Sequence, residues 1–200
     1  MEYSIRPSRP DDEEAVGEIC FKTYKEGSDS RYRDLIGLRW AVPYIRYEGP
    51  HCFVAVNQND RPIGYVLSAP QGRAFRKAYK SRMAEEVFTA LEKQKDSFSK
   101  RELRRMRISF GRYDDLVSRR IERQYPAHLH IDIDPDFQGG GLGKRLMNSL
   151  IDHLRDIGCR GVHLGVGVKN AGAIRFYQRL GFSELGRFGL FDVVYMGLKL

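Results

Sequence analysis

Residues 139–143 hold four glycines in five positions, set between a strand pattern and a helix pattern. This arrangement constrains the fold more than any other stretch. Upstream, His128 to Asp134 alternates polar and apolar residues and stops at Pro135, the period of a strand with two different faces. Downstream, Leu142 to Ile157 places leucines at 142, 146, 150 and 154 with Met147 and Ile151 beside them, the stripe of a helix with one buried face. Gly158 fits the position just past its end. Val162 to Val168 then reads as a strand, Ala171 to Leu180 as a short helix ending at Gly181, and Phe182–Leu185 with Leu190–Leu198 as an antiparallel pair. Alternating strands and helices of this kind predict an α/β fold, a mixed sheet with helices on both faces.

The first two thirds are less regular. Tyr3 to Pro7 reads as a strand, and Pro10 with the acids Asp11 to Glu14 opens a helix predicted to run to about Glu26. A second helical stretch lies between Arg31 and Tyr47, interrupted near Pro43. His51–Val56 and Ile63–Ser68 predict a hairpin around the turn residues 57–62. Arg73 to Lys95 carries one long helical pattern, followed by a basic stretch to Arg123 that is harder to assign. Residues 70–125 hold too few apolar residues for a core of their own, so they are expected to be a basic helical insertion in a single domain spanning 1–200.

Charge is concentrated there. The segment 70–125 has sixteen Lys and Arg against eight Asp and Glu, which equals the whole net charge of +8. Such an excess raises the question of an anionic partner. The arginines are interleaved with acids and no nucleic-acid motif accompanies them, so a solvated helical face is favoured over nucleic acid. No apolar run reaches the roughly 18–20 residues of a membrane span, and the start of the chain has no secretory pattern. Three cysteines without CxxC spacing fit reduced thiols, and the expected location is cytoplasmic.

Glycines after a strand let backbone N–H groups turn toward a ligand. The helix start adds unpaired donors and a positive dipole end. Together Gln138 to Lys144 should form an anion cradle suited to a pyrophosphate. Lys144 and Arg145 stand against the helix dipole unless an anion is bound there. The spacing is neither GxGxxG with a ribose-binding acid nor GxxxxGK[ST].

Ile133-Asp134-Pro135 followed by Gln138-x-x-Gly141-x-Gly143 resembles the acetyl-CoA loop of the GNAT superfamily, and Asn170 to Phe182 resembles that family's second signature helix. More narrowly, residues 125–132 and His163–Val166 look like the bacterial acetyltransferase-like proteins related to the C-terminal domain of O-GlcNAcase. The resemblance is strong over roughly 125–185, topological over 1–70 and absent in the insertion. It implies a GNAT fold of about six or seven strands and acetyl-CoA as acyl donor. It further implies that the backbone of Ile131 and Ile133 pairs with pantetheine where two strands splay. The N–H groups of Gly139, Gly140, Gly141, Leu142, Gly143 and Lys144, beside Gln138, would hold the pyrophosphate. Asn170 would lie near the pantetheine arm and Tyr177 beside the thioester sulfur.

Acetyl transfer to an amine needs a neutral amine, a polarised carbonyl and a protonated leaving thiol. Tyr177, with an ordinary pKa near 10, suits the proton donor; helical spacing alone would make it a packed tyrosine. Asn170 also suits a helix N-cap. His128, His130, Asp132 and Asp134 share one face of their strand, which is expected to line the acceptor side. Asp132 is the first candidate for base or acceptor-binding acid, with His130 second. A strand face paired to the basic insertion is the plain alternative. His128, His130 and Asp132 could also approach a zinc ion, but no further His or Cys cluster has matching spacing, and no metal is expected.

The reading is an N-acetyltransferase acting on an amine. A lysine side chain, a protein N-terminus, an aminosugar and a polyamine all remain open. The rival is a catalytically silent domain of the same fold that binds CoA or a protein.

Overall fold

The computed structural model describes residues 3–24, 29–111, 117–188 and 192–200. Its strands are β1 (Ser4–Pro7), β2 (Phe53–Val56), β3 (Pro62–Ala69), β4 (Ala127–Ile133), β5 (Gly161–Gly167), β6 (Ser183–Phe188) and β7 (Val193–Lys199). They form one seven-stranded sheet in the order β1-β2-β3-β4-β5-β7-β6, antiparallel throughout except between β4 and β5.

Helices cover both faces, because strands in the middle of the sheet are apolar on both sides. On one face lie α1 (Glu13–Thr23), α2 (Arg33–Trp40), α3 (Val42–Glu48), α4 (Gly72–Ala78), α5 (Ala84–Lys93) and α6 (Lys100–Gly111), packed over Val54, Tyr65 and Leu67. On the other lie α8 (Leu142–Asp156) and α9 (Ala171–Arg179), packed over Val66, Leu129 and Leu164. A short α7 (Arg119–Gln124) precedes β4. Alternation along β4 thus turns Leu129, Ile131 and Ile133 toward α8 and leaves His130 and Asp132 on the α1 side. Gly17 of α1 and Gly37 of α2 let these two helices touch backbone to backbone, since a Cβ on Gly37 would lie 3.0 Å from the Gly17 Cα. The contact seats α1 firmly above β4.

Three details refine the sequence expectation. The first helix stops at Thr23, with Tyr24 extended, and the rest of its predicted span falls on residues 25–28, outside those described. The break expected near Pro43 falls at Ala41 instead, because proline is tolerated in the first turn of α3. The long helix predicted over 73–95 is divided by a π-helical segment, Tyr79–Met83. Its buried residues Phe75, Tyr79, Met83, Val87 and Leu91 recur every four positions. At 3.6 residues per turn such a stripe drifts by about 40° per repeat, and the wider turn takes up the drift. These residues enter the same apolar cluster as α1–α3, β2 and β3.

Cys20, Cys52 and Cys159 are free thiols. Among the described residues no helix is long and apolar enough to cross a membrane.

Candidate active site

The site begins where the sheet opens. β4 and β5 are paired only at Ala127–Val162 and His128–His163, after which they part. The Asp134 N–H reaches back to Ile63 O on β3 at 3.0 Å. Backbone groups alternate along a strand, so those of Ile131 and Ile133 face the other way, into the gap left by β5. Gln138 Nε2 donates to Ile133 O at 2.9 Å, which folds the loop back against the end of the strand.

The gap runs into a cleft of about 800 Å³, within the range of sites that take small ligands. Ile131, Asp132 and Ile133 form one wall. Gln138, Gly139, Gly141, Leu142, Gly143 and Lys144 form the second, and α9 forms the third through Gly172, Phe176, Tyr177 and Arg179. Grooves of about 1210 Å³ beside α1 and α5 and about 980 Å³ beside α4 and α7 are larger. The smaller cleft is the one that joins the parted strands to a helix N-terminus.

Two glycines have distinct tasks there. Gly141 is the N-cap of α8 with φ of 78°, a left-handed conformation that disfavours a side chain, and no side chain caps the helix. The first amides of α8 therefore keep their hydrogen-bonding capacity, and the positive end of the helix dipole faces the cleft. Gly143 is needed for close approach: a Cβ there would lie 3.2 Å from Ile133 Cδ1 and 3.4 Å from the Phe176 ring. A Cβ at Gly139 or Gly141 would meet nothing within 4 Å, so the space above the loop is open to a ligand. Lys144 lines the cleft, while Arg145 turns away to the Tyr3 ring, 4.6 Å from its centroid.

At the inner end stand Asp132 and Tyr177. The Tyr177 side chain is buried, packed against Phe176 and Phe182 at centroid distances of 5.3 and 5.6 Å. Burial, with the charge of Asp132, pushes its hydroxyl well above the ordinary tyrosine range, so it holds its proton at neutral pH. Asp132 keeps 23% of its side-chain exposure. Burial raises its carboxyl above the usual carboxylate value, opposed by His130 and by bonds from Tyr65 and Thr23. Tyr65, its register partner on β3, donates to Asp132 Oδ2 at 2.6 Å and lies 3.3 Å from His130 Nδ1. His130 Nε2 is 3.6 Å from the same carboxylate oxygen. Asp134 is held by Lys22 of α1 at 2.8 Å, and His128 by Tyr44 of α3. The polar face of β4 is thus tied to α1, α3 and β3, with none of these bonds made to residues 70–125.

Of the residues picked out by sequence, Ile131, Asp132, Ile133, Gln138, Gly139, Gly141, Leu142, Gly143, Lys144 and Tyr177 come together around this cleft. Gly140 and Asn170 are not among its lining residues. The Asn170 side chain caps α9 by accepting from the Ala173 amide at 3.0 Å. Tyr65, Thr23, Cys20 and Lys22 were missed, because they reach Asp132 and Asp134 only through sheet order and the seating of α1. The zinc grouping considered from sequence is rearranged: Cys20, His130 and Asp132 offer ligand atoms within 4.8 Å of one another, with His128 turned to Tyr44 instead. Burial pushes the Cys20 thiol far up, which opposes the deprotonation a metal would require.

A sequence profile of the acetyltransferase (GNAT) family matches residues 13–182. The chain belongs to that family. Among GNAT relatives, a protein described as uncharacterized N-acetyltransferase MJ1207 of Methanocaldococcus jannaschii is 40% identical over 183 residues, 91% of this chain and 61% of its own length. Protein O-GlcNAcase of Rattus norvegicus is 26% identical over 203 residues, 99% of this chain and 22% of its own length. The chain therefore spans less than two thirds of either relative. Among solved structures, the crystal structure of SsHAT superposes with a TM-score of 0.80 at 32% identity, covering 100% of this chain and 98% of that one. The GNAT fold expected from the sequence is the fold observed, with a mixed sheet of seven strands.

Proposed function

We propose that the chain is an N-acetyltransferase that moves the acetyl group of acetyl-CoA to an amine, with the donor in the cleft between β4, α8 and α9. The observation that carries this reading is one continuous cleft that joins the parted strands to the uncapped start of α8 and ends at Asp132 and Tyr177. The residues present fit such a donor. The loop offers open space where side chains would stand, the helix start favours an anion, and the backbone of Ile131 faces an unpaired strand gap. Acetyl-CoA bound there would supply an activated acyl group. The amides from Gly139 to Lys144 hold its pyrophosphate, with the Lys144 ammonium beside them. Ile131 and Ile133 align the pantetheine arm, near the start of α9 where Asn170 stands, and so set the carbonyl against the acceptor.

Tyr177, kept protonated by burial, donates to the departing sulfur. Asp132, held by Tyr65, takes the proton from the amine on the α1 side of β4. This reading treats residues 1–200 as one domain with 70–125 as an insertion, supported by the shared core of α4–α6 with α1–α3.

The test is thiol release from acetyl-CoA against a panel of amines: a peptide lysine, a peptide N-terminus, an aminosugar and a polyamine. At least one amine is expected to accelerate CoA release in proportion to enzyme. Asp132 must be ionised to act as base, and its carboxyl titrates above the ordinary carboxylate range. The rate should therefore rise with pH through that elevated value, and Asp132→Asn should lower it by roughly 10²–10⁴-fold and remove that limb. Absence of release with every amine would favour a silent binding domain. A full rate with Asp132→Asn would move the base elsewhere.

A further inference from the structure

The charge excess of residues 70–125 is interleaved with acids in sequence but sorted in space. Glu86 pairs with Arg46, Glu92 with Lys95 and Arg107, and Glu102 with Arg31. Glu122 pairs with Arg76, and this pair ties α7 to α4. Four of the segment's other cations, Arg73, Lys77, Arg119 and Arg123, join Arg160 in lining a groove of about 980 Å³, all five exposed. Among the described residues none of these five is in an ion pair. Among the described residues Glu122 is the one carboxylate lining the groove, and Arg76 already neutralises it.

The cations are placed in order. Arg73 and Lys77 are four residues apart on α4, and Arg119 and Arg123 are four apart on α7. Each pair therefore lies along one side of its helix, with Cβ atoms about 5–6 Å apart. Two walls of evenly spaced positive charge face one hollow, and Arg160 stands at the start of β5. Concentrating five unpaired cations costs self-repulsion that an anion would relieve. The groove is remote from the cleft: α8 starts at the cleft and ends at the groove, and its 15 residues span about 22 Å.

We propose that this groove binds single-stranded nucleic acid through its phosphates. Four of the five cations are arginines, whose planar forks match phosphate oxygens. Evenly repeated charges on both walls match a backbone with one charge per unit. Among the described residues the lining has no Phe, Tyr or Trp, and its one ring, His51, is held by His153 at 2.8 Å, so contact is chiefly with phosphates and does not read sequence. The cations stand on two walls of one hollow and not on a convex surface, which favours a single strand settling between them over a duplex. The proposal is independent of the acetyl-transfer reading.

The experiment is fluorescence anisotropy of a labelled twelve-residue oligothymidylate with the full chain, from 50 to 250 mM salt. Binding is expected at 50 mM. The slope of log affinity on log salt should approach about −3.5, five phosphates at about 0.7 each for a single strand. Arg119→Gln with Arg123→Gln should weaken binding at least about tenfold at 50 mM and reduce the slope by about 1.4. Acetyl-CoA titration of the same variant should be unchanged, which checks that it is folded. No binding at 50 mM, or an unaltered affinity and slope in the variant, would overturn the proposal. Equal or tighter binding of a twelve-residue polyglutamate would point to an acidic protein and would also overturn it, as would tighter binding of a duplex of the same length.

Discussion

Gly141→Asp is expected to weaken acetyl-CoA binding by at least about 100-fold while the protein stays folded. The position caps α8 with φ of 78° and has nothing within 4 Å of where a Cβ would stand. The new side chain meets no steric barrier, and the left-handed conformation costs about 1–2 kcal/mol, less for aspartate than for most residues. Its carboxylate is placed where the helix dipole and the loop amides favour the ligand's own anion. The variant thus satisfies the helix terminus internally and repels the pyrophosphate. A hundredfold loss corresponds to about 2.8 kcal/mol, within reach of one repelled charge and several lost amide bonds. Calorimetric titration measures the affinity, and a thermal melt without ligand checks the fold. Unchanged affinity in a folded variant would place the anion site away from this loop.

Tyr177→Phe is expected to slow acetyl transfer by roughly 10²–10⁴-fold with acetyl-CoA affinity held within a few-fold. The ring is packed between Phe176 and Phe182, and phenylalanine keeps those contacts. What is lost is one hydroxyl whose proton burial and the Asp132 charge hold firmly in place. If that proton goes to the leaving sulfur, the hydroxyl matters in the transition state and little in ground-state binding. The measurement pairs steady-state thiol release with calorimetric binding for both forms. Equal turnover in the two forms would remove the donor role and leave a packed aromatic residue.

The last third of the chain was legible because each local signal agreed with the next. The strict alternation of 128–134, the leucine stripe of α8 and the glycines between them each specify one element. The element order then forces the loop to the carboxyl end of β4. Tyr65 could not be read this way. It meets Asp132 only because β3 lies next to β4 in antiparallel register, and the strand patterns do not declare their neighbours. Cys20, Lys22 and Thr23 are hidden for the same reason, since their relevance depends on α1 crossing above β4. The Arg73–Lys95 pattern gave the helical stretch but not its π segment, because the drift that a four-residue repeat builds up appears only once a core must be filled. Arg145 was grouped with Lys144 by adjacency, yet successive helix residues point about 100° apart. Lys144 faces the cleft and Arg145 the Tyr3 ring.

The charge of residues 70–125 shows the same limit. Along the sequence, acids and bases alternate closely enough to suggest mutual neutralisation. In the fold, Glu86, Glu92 and Glu102 pair with cations away from the groove, Arg46 and Arg31 among them from distant parts of the chain, and Glu122 is neutralised by Arg76 of α4. Net charge per segment is a sequence property, whereas a charged groove is a property of packing.

Acetyl-CoA binding to the unaltered protein tests the central claim most directly. Titration of acetyl-CoA into the purified chain, followed by calorimetry, should show one saturable site per chain. A thermal melt at ligand 100-fold above its dissociation constant should show the folded state stabilised by about 2.7 kcal/mol. Absence of binding heat together with an unshifted melting midpoint at millimolar acetyl-CoA would contradict the account of the cleft and, with it, the proposed acetyl transfer.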